Sequence, residues 1–292
     1  MLAACAARVR AVLVEVRRTY HGGVPRTRPT RRPDLTEIAA RLRAAGCVFA
    51  DDEARLLDAA AVDAATLERL VVRRTLGEPL EPLIGWVEFA GLRLRVGPGV
   101  FVPRQRTTLL AREATRLAAE SASAVVVDLC CGVAAIAAVV GETAAPGRLV
   151  AVDIDAAAVE LARENLAPFG GEAYAGDLYD AVPVALAGAV DVLAVNAPYV
   201  PSGQIDRMPR EARDYEPRRA LDGGPDGLDL QRRVIAPVRR WLAPGGCLVV
   251  ESSSEQAVRT AALMAAVGLR TRTLVDEELG ATVVVGRAPM ES

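Results

Sequence analysis

The feature that most constrains this chain is a series of short apolar runs that stop at polar residues, separated by stretches with helical periodicity. Ala124 to Leu129 is apolar except for Asp128, Leu149 to Val152 stops at Asp153, and Val190 to Val195 stops at Asn196. Helical patterns cover Thr107 to Ala119, the segment after Leu129, and Asp155 to Leu166. Runs without polar alternation suit parallel strands buried on both faces. Further runs at Cys247 to Val250, Leu269 to Leu274 and Ala281 to Val285 complete the series. The pattern predicts a doubly wound α/β fold with a mainly parallel sheet, the last two runs forming a hairpin at one edge.

In such a sheet, ligands lie outside the carboxyl ends of the strands, near the point where strand order reverses. The first strand end reads Asp128-Leu129-Cys130-Cys131-Gly132-Val133-Ala134. A turn of small residues lets backbone approach a ligand and aims the N–H groups of the next helix at it. At the next strand end, Asp153 can accept both hydroxyls of a ribose, while Asp155 suits the helix N-cap. In Gly176-Asp177-Leu178-Tyr179, Asp177 can accept an adenine amino group and Leu178 can cover the ring. Together these strand ends favour an adenosine-containing ligand. Cys130 and Ala134 occupy two glycine positions of the dinucleotide fingerprint G-x-G-x-x-G, so a nicotinamide cofactor fits poorly.

The fourth strand end, Asn196-Ala197-Pro198-Tyr199, carries the sharpest signal. A planar amide or amino nitrogen is a weak nucleophile because its lone pair is delocalised. The Asn196 side-chain oxygen and the Ala197 carbonyl can grip its two N–H bonds in plane, positioning it and stabilising the charge that develops. Pro198 stiffens the loop and Tyr199 can stack on the planar group.

Composition removes competing chemistries. All 35 basic residues are arginine, and His21 is the only histidine. A P-loop lysine, a lysine Schiff base and a multi-histidine metal site are therefore excluded, and a lone histidine argues against a histidine triad. No metal site is expected. A net charge of -2 argues against a dedicated nucleic-acid binder. Five cysteines without a C-x-x-C pair suit a reducing compartment, hence the cytoplasm. Leu2-Ala3-Ala4-Cys5 superficially resembles a lipoprotein cleavage site, but Met1 alone precedes it. The apolar stretch Ala122 to Val140 is interrupted by Asp128 and Gly132, so no membrane span is expected.

Four regions are expected: a flexible extension at 1–33, a helical substrate-recognition unit at 34–80, a hairpin linker at 81–103, and the α/β domain at 104–292. The extension holds a candidate helix at Leu2 to Val16 and an arginine cluster at 26–32.

Asn196-Ala197-Pro198-Tyr199 resembles the N-P-P-Y motif of class I S-adenosylmethionine-dependent amino methyltransferases. More narrowly, Phe101-Val102-Pro103-Arg104 and Leu221-Asp222-Gly223-Gly224-Pro225-Asp226-Gly227-Leu228 resemble the F-I-P-R and L-D-G-G-x-D-G-L segments of the release-factor glutamine methyltransferases. The resemblance runs from about Leu35 to Val285. It implies a Rossmann-like methyltransferase domain behind a helical domain that recognises a protein. It also implies methylation of a glutamine side-chain amide, in the family's best-known case within a Gly-Gly-Gln loop of a peptide release factor. Carried over, Asp128 and Cys130, Cys131, Gly132, Val133 and Ala134 would line the methionine side of S-adenosylmethionine. Asp153 would hold the ribose, and Asp177 with Leu178 the adenine. Asn196, also beside the cofactor, would hold the substrate amide with Ala197, Pro198 and Tyr199.

The chain departs from this family at several points. Cys130 and Ala134 stand where its D-L-G-x-G-x-G turn has glycine, and Val133 where a small polar residue is common. Ala197 replaces a proline. Gln105-Arg106-Thr107-Thr108 replaces P-E-T-E, removing two carboxylates. A divergent branch is expected. Two other readings stay open: a methyltransferase acting on the amino group of a nucleic-acid base, and a catalytically degenerate module that binds a partner.

Overall fold

A computed structural model describes residues 32–290. The helix expected at Leu2 to Val16, and Arg26, Arg28 and Arg31, lie outside them. Arg32 lies within, where it pairs with Asp58 at 2.8 Å and donates to the carbonyls that end a helix.

Four helices come first: α1 (Leu35–Ala44), α2 (Ala50–Ala60), α3 (Ala64–Thr75) and α4 (Leu80–Ile84). Asp34 caps α1 by accepting from the Glu37 amide, and Asp63 caps α3 by accepting from Thr66. Ile38, Leu42, Leu57, Leu67 and Val71 recur at helical spacing and close into a small core of their own. The hairpin follows as β1 (Trp86–Phe89) and β2 (Leu92–Arg95), paired antiparallel about Ala90-Gly91.

The remaining elements are α5 (Thr108–Ala118), β3 (Val125–Leu129), α6 (Ala135–Ala144), β4 (Arg148–Asp153), α7 (Ala156–Leu166), β5 (Glu172–Ala175), β6 (Val190–Val195), α8 (Arg210–Tyr215), α9 (Asp229–Ile235), β7 (Leu242–Ser252), α10 (Ser254–Ala266), β8 (Arg270–Asp276) and β9 (Ala281–Arg287). The strands form one sheet in the order β5-β4-β3-β6-β7-β9-β8. All are parallel except β9, which runs antiparallel to both β7 and β8. Valine-rich strands such as Val126-Val127 and Val192-Leu193 send alternate side chains into two cores, one on each face of the sheet.

The final hairpin forms, with an arrangement that periodicity alone does not give. β9 enters between β7 and β8, so Val283 to Val285 are buried, and the largely exposed β8 takes the edge. Strand β5 escaped the sequence reading because its four residues include Glu172 and Tyr174 and show no apolar run. β7 begins earlier than Cys247, its start disguised by Pro244-Gly245-Gly246. From β3 the chain winds outward through β4 and β5, then returns to place β6 on the other side of β3. The ends of β3 and β6 therefore flank the point where strand order reverses.

Candidate active site

Outside those strand ends lies a cleft of about 280 Å³. Its walls include Cys130, Cys131, Gly132 and Val133 from the turn after β3, Asp153 from β4, Asp177 and Leu178 after β5, and Asn196 to Tyr199 after β6. Asp128 and Ala134 are packed behind this surface, both fully buried. The thiol of Cys130 and the side chain of Val133 form part of the wall and leave the cleft open.

Three carboxylates line the β4 and β5 side of the cleft. Asp153 accepts from the Gly132 amide at 2.7 Å and from the Asp155 amide at 2.8 Å, one bond on each oxygen. Each oxygen keeps a free lone pair, and the side chain is locked in place. Burial raises its pKa despite these two bonds. Asp155 caps α7 through the Ala157 amide and also meets Arg219 at 2.7 Å. Asp177 gives one oxygen to Arg233 at 2.7 Å.

The turn after β3 holds its shape at a cost. Cys130 has φ +55° and Ala134 φ +61°, both in the left-handed region where the expected glycines would sit freely; Val133 is spared. Each such residue costs of order 1–2 kcal/mol. Below the turn, one Asp128 oxygen accepts from the Ala137 amide at 3.1 Å, and the other is buried without a partner. Desolvation pushes this carboxyl up to about 8.

The Asn196 loop rests on the Leu221–Leu228 loop. Val200 donates to the Leu221 carbonyl and Gly223 to the Val200 carbonyl. A Cβ on Gly223 would lie 2.7 Å from the Pro198 oxygen, and one on Gly227 would lie 2.3 Å from the Tyr199 oxygen. Only glycine allows backbone this close. The Asn196 amide nitrogen donates to Thr107 Oγ1 at 3.3 Å, which orients the carboxamide. Among the described residues no hydrogen bond ends on Asn196 Oδ1 or on the Ala197 carbonyl. Both residues line the cleft, and both acceptors are unused.

Glu251, at the end of β7, is a functional candidate that the sequence reading missed. Its side chain is 2% exposed, and its Oε1 accepts from the Tyr199 hydroxyl at 3.1 Å and from Arg106 Nε at 3.3 Å. Burial, followed by the Glu251 charge, holds the Tyr199 hydroxyl in its protonated form. Glu251 follows the apolar run Leu248-Val249-Val250 just as Asp153 follows the run Leu149 to Val152, so strand-end acidity was the available signal. Thr107 and Arg219 had no comparable mark.

The cleft meets the demands of an adenosyl sulfonium ligand on its own geometry. A buried carboxylate oxygen lacks a partner, the Gly132 Cα faces open space, and a preset carboxylate with free lone pairs stands at the neighbouring strand end. With the single reversed strand in a seven-stranded sheet, these features define a class I S-adenosylmethionine-dependent methyltransferase.

Residues 92–213 match the family model "Methyltransferase small domain". The chain is 39% identical to the release factor glutamine methyltransferase of Mycolicibacterium smegmatis, over 67% of this chain and 69% of that one. It is 36% identical to a 4-amino-L-phenylalanine/4-methylamino-L-phenylalanine methyltransferase of Streptomyces pristinaespiralis, over 68% of this chain and 69% of the relative. A Pyrococcus furiosus methyltransferase structure shares the fold, with a TM-score of 0.50 and 15% identity over 69% of this chain and 91% of the other. The chain belongs to the release factor glutamine methyltransferase family. Among the described residues, no helix is long and apolar enough to cross a membrane, and no group of three or more His, Cys, Asp or Glu residues could hold a metal.

Proposed function

We propose that this protein methylates the side-chain amide of a glutamine in a peptide release factor, working in the cytoplasm. One observation carries the reading. The carboxamide of Asn196 is oriented by Thr107, and its oxygen stands unused beside the equally unused Ala197 carbonyl. That pair matches the two N–H bonds of a primary amide. S-adenosylmethionine supplies a methyl group already activated on a sulfonium.

The chain's own residues then need to align rather than to act as strong acids or bases. Asn196 Oδ1 and the Ala197 carbonyl hold the two N–H bonds and present the nitrogen lone pair to the methyl. As the nitrogen–carbon bond forms and the sulfur–methyl bond breaks, the same acceptors stabilise positive charge on nitrogen. Tyr199, tied to Glu251, stacks on the amide plane. The proton leaves to solvent afterwards. Asp153 holds the ribose hydroxyls, Asp177 and Leu178 hold the adenine, and Cys130, Cys131, Gly132 and Val133 line the methionine end with Asp128 and Ala134 packed behind them. The helices at 34–80 recognise the protein substrate, and the hairpin at 81–103 links them to the methyltransferase domain at 104–292.

Incubation with labelled S-adenosylmethionine and a release factor should place label on the Gly-Gly-Gln glutamine. Asn196→Ala should abolish transfer while cofactor binding, measured by calorimetry, stays nearly intact. Label appearing elsewhere, or unchanged turnover in the variant, would refute these assignments.

A further inference from the structure

Beside the cleft lies a second cavity of about 550 Å³. The two share a wall made of Arg106, Tyr199, Val200, Met208 and Glu251. The methyl transfer described above leaves this second space unused.

The charges facing it are unequally engaged. Arg106 is 43% exposed and donates from Nε to Glu251 at a long 3.3 Å. Neither of its terminal nitrogens donates to a carboxylate among the described residues. Its guanidinium carbon lies 5.7 Å from the centre of the Tyr199 ring. Arg207 lines the same cavity and has no ion-pair partner among the described residues. The facing carboxylates are largely committed. Glu251 is bound by Tyr199 and Arg106 through one oxygen, and its other oxygen is sealed from the cavity. Asp276 accepts from the Leu279 amide and lies 4.0 Å from Arg112. Glu277 stays free, but it sits exposed on the outer turn between β8 and β9. Next to Tyr199, the donors left free are therefore the terminal nitrogens of Arg106, whose charge is shared with Glu251 through Nε; their fork geometry matches a carboxylate.

We propose that Arg106 is a specificity-determining residue that selects methyl acceptors carrying a carboxylate, with the second cavity holding that part of the acceptor. The inference rests on the reading of Asn196 and Tyr199 as the amide-holding pair. Two sources offer this chemistry: an acidic side chain beside the glutamine of a peptide, and the α-carboxylate of a free amino acid.

The test measures kcat/KM with labelled S-adenosylmethionine for matched acceptor pairs. One pair is a Gly-Gly-Gln peptide flanked by Asp against its Asn counterpart. The other is free 4-amino-L-phenylalanine against its α-carboxamide. The wild-type enzyme should favour the carboxylate member of one pair by about tenfold, and the pair that responds identifies the source. Arg106→Gln should collapse the preference to within about twofold, and Arg106→Glu should turn it toward a Lys-flanked peptide. A merely structural Arg106 would not reverse charge preference. Equal rates within both wild-type pairs, or a preference that survives Arg106→Gln, would overturn the proposal. Should no acceptor be methylated, the amide-holding reading fails. The same pairs are then titrated calorimetrically against enzyme saturated with S-adenosylhomocysteine. A carboxylate preference lost in Arg106→Gln would still support the role of Arg106, and its absence would overturn that too.

Discussion

Asp128 shows how far a single residue's chemistry is set by its surroundings. It is fully buried, one oxygen lacks a partner, and its carboxyl is pushed up to about 8 by desolvation. In the unfolded chain it would titrate near the ordinary value of about 4. Between these values the unfolded state has released a proton that the folded state keeps. The contribution of Asp128 to the stability of the ligand-free protein should therefore be full below about pH 4, fall as pH rises, and be gone above about pH 8. Asp153, also raised by burial, adds to the same slope. Asp128→Asn should flatten much of the decline in melting temperature between pH 5 and 8; an unchanged slope would mean that the buried carboxyl is not its source. The carboxylates at 128 and 153 were legible from sequence because each interrupts or ends a run of Val and Leu. Nothing in the sequence showed that Asp128 would be left with an unpaired oxygen.

At the scale of elements, the site is made where the end of β6 meets the start of α5. Thr107, just before α5, accepts the Asn196 amide proton, and the Leu221–Leu228 loop supports the same turn from the other side. Thr107→Val keeps the shape and removes the acceptor. The carboxamide is then free to rotate, and kcat should fall about tenfold. Cofactor affinity should hold, and melting should show a loss of no more than about 1.5 kcal/mol. A variant with wild-type kcat would show that Thr107 does not set the orientation. The strand-end loops were readable because their residues are adjacent in sequence. The Thr107 contact spans 89 positions, and only the folded sheet brings its two ends together.

Over the whole molecule, the helices at 35–84 and the α/β body are joined by a buried arginine. Arg74, on α3, forms a two-nitrogen pair with Glu53 on α2 and reaches Glu211 on α8 at 2.6 Å. Tyr215 on α8 donates to the Leu76 carbonyl. Arg74→Met would leave Glu53, whose side chain is 10% exposed, as an uncompensated buried charge, at a cost of about 3–5 kcal/mol. Glu211 is half exposed, and Glu211→Gln should cost no more than about 1 kcal/mol. Urea unfolding of the two variants separates these outcomes, and equal midpoints would refute the asymmetry. The sequence by itself determined the repeated strand–helix winding, the helical unit before it and the polar residues at the strand ends, because periodicity and strand-end polarity are local properties. Only the tertiary structure decided that β9 would run antiparallel inside the sheet, that Glu251 would anchor Tyr199, and that Arg106 would stand between two cavities. Those facts depend on which distant segments pack together, and burial, hydrogen bonding and charge balance are settled by that packing rather than by neighbours in the chain.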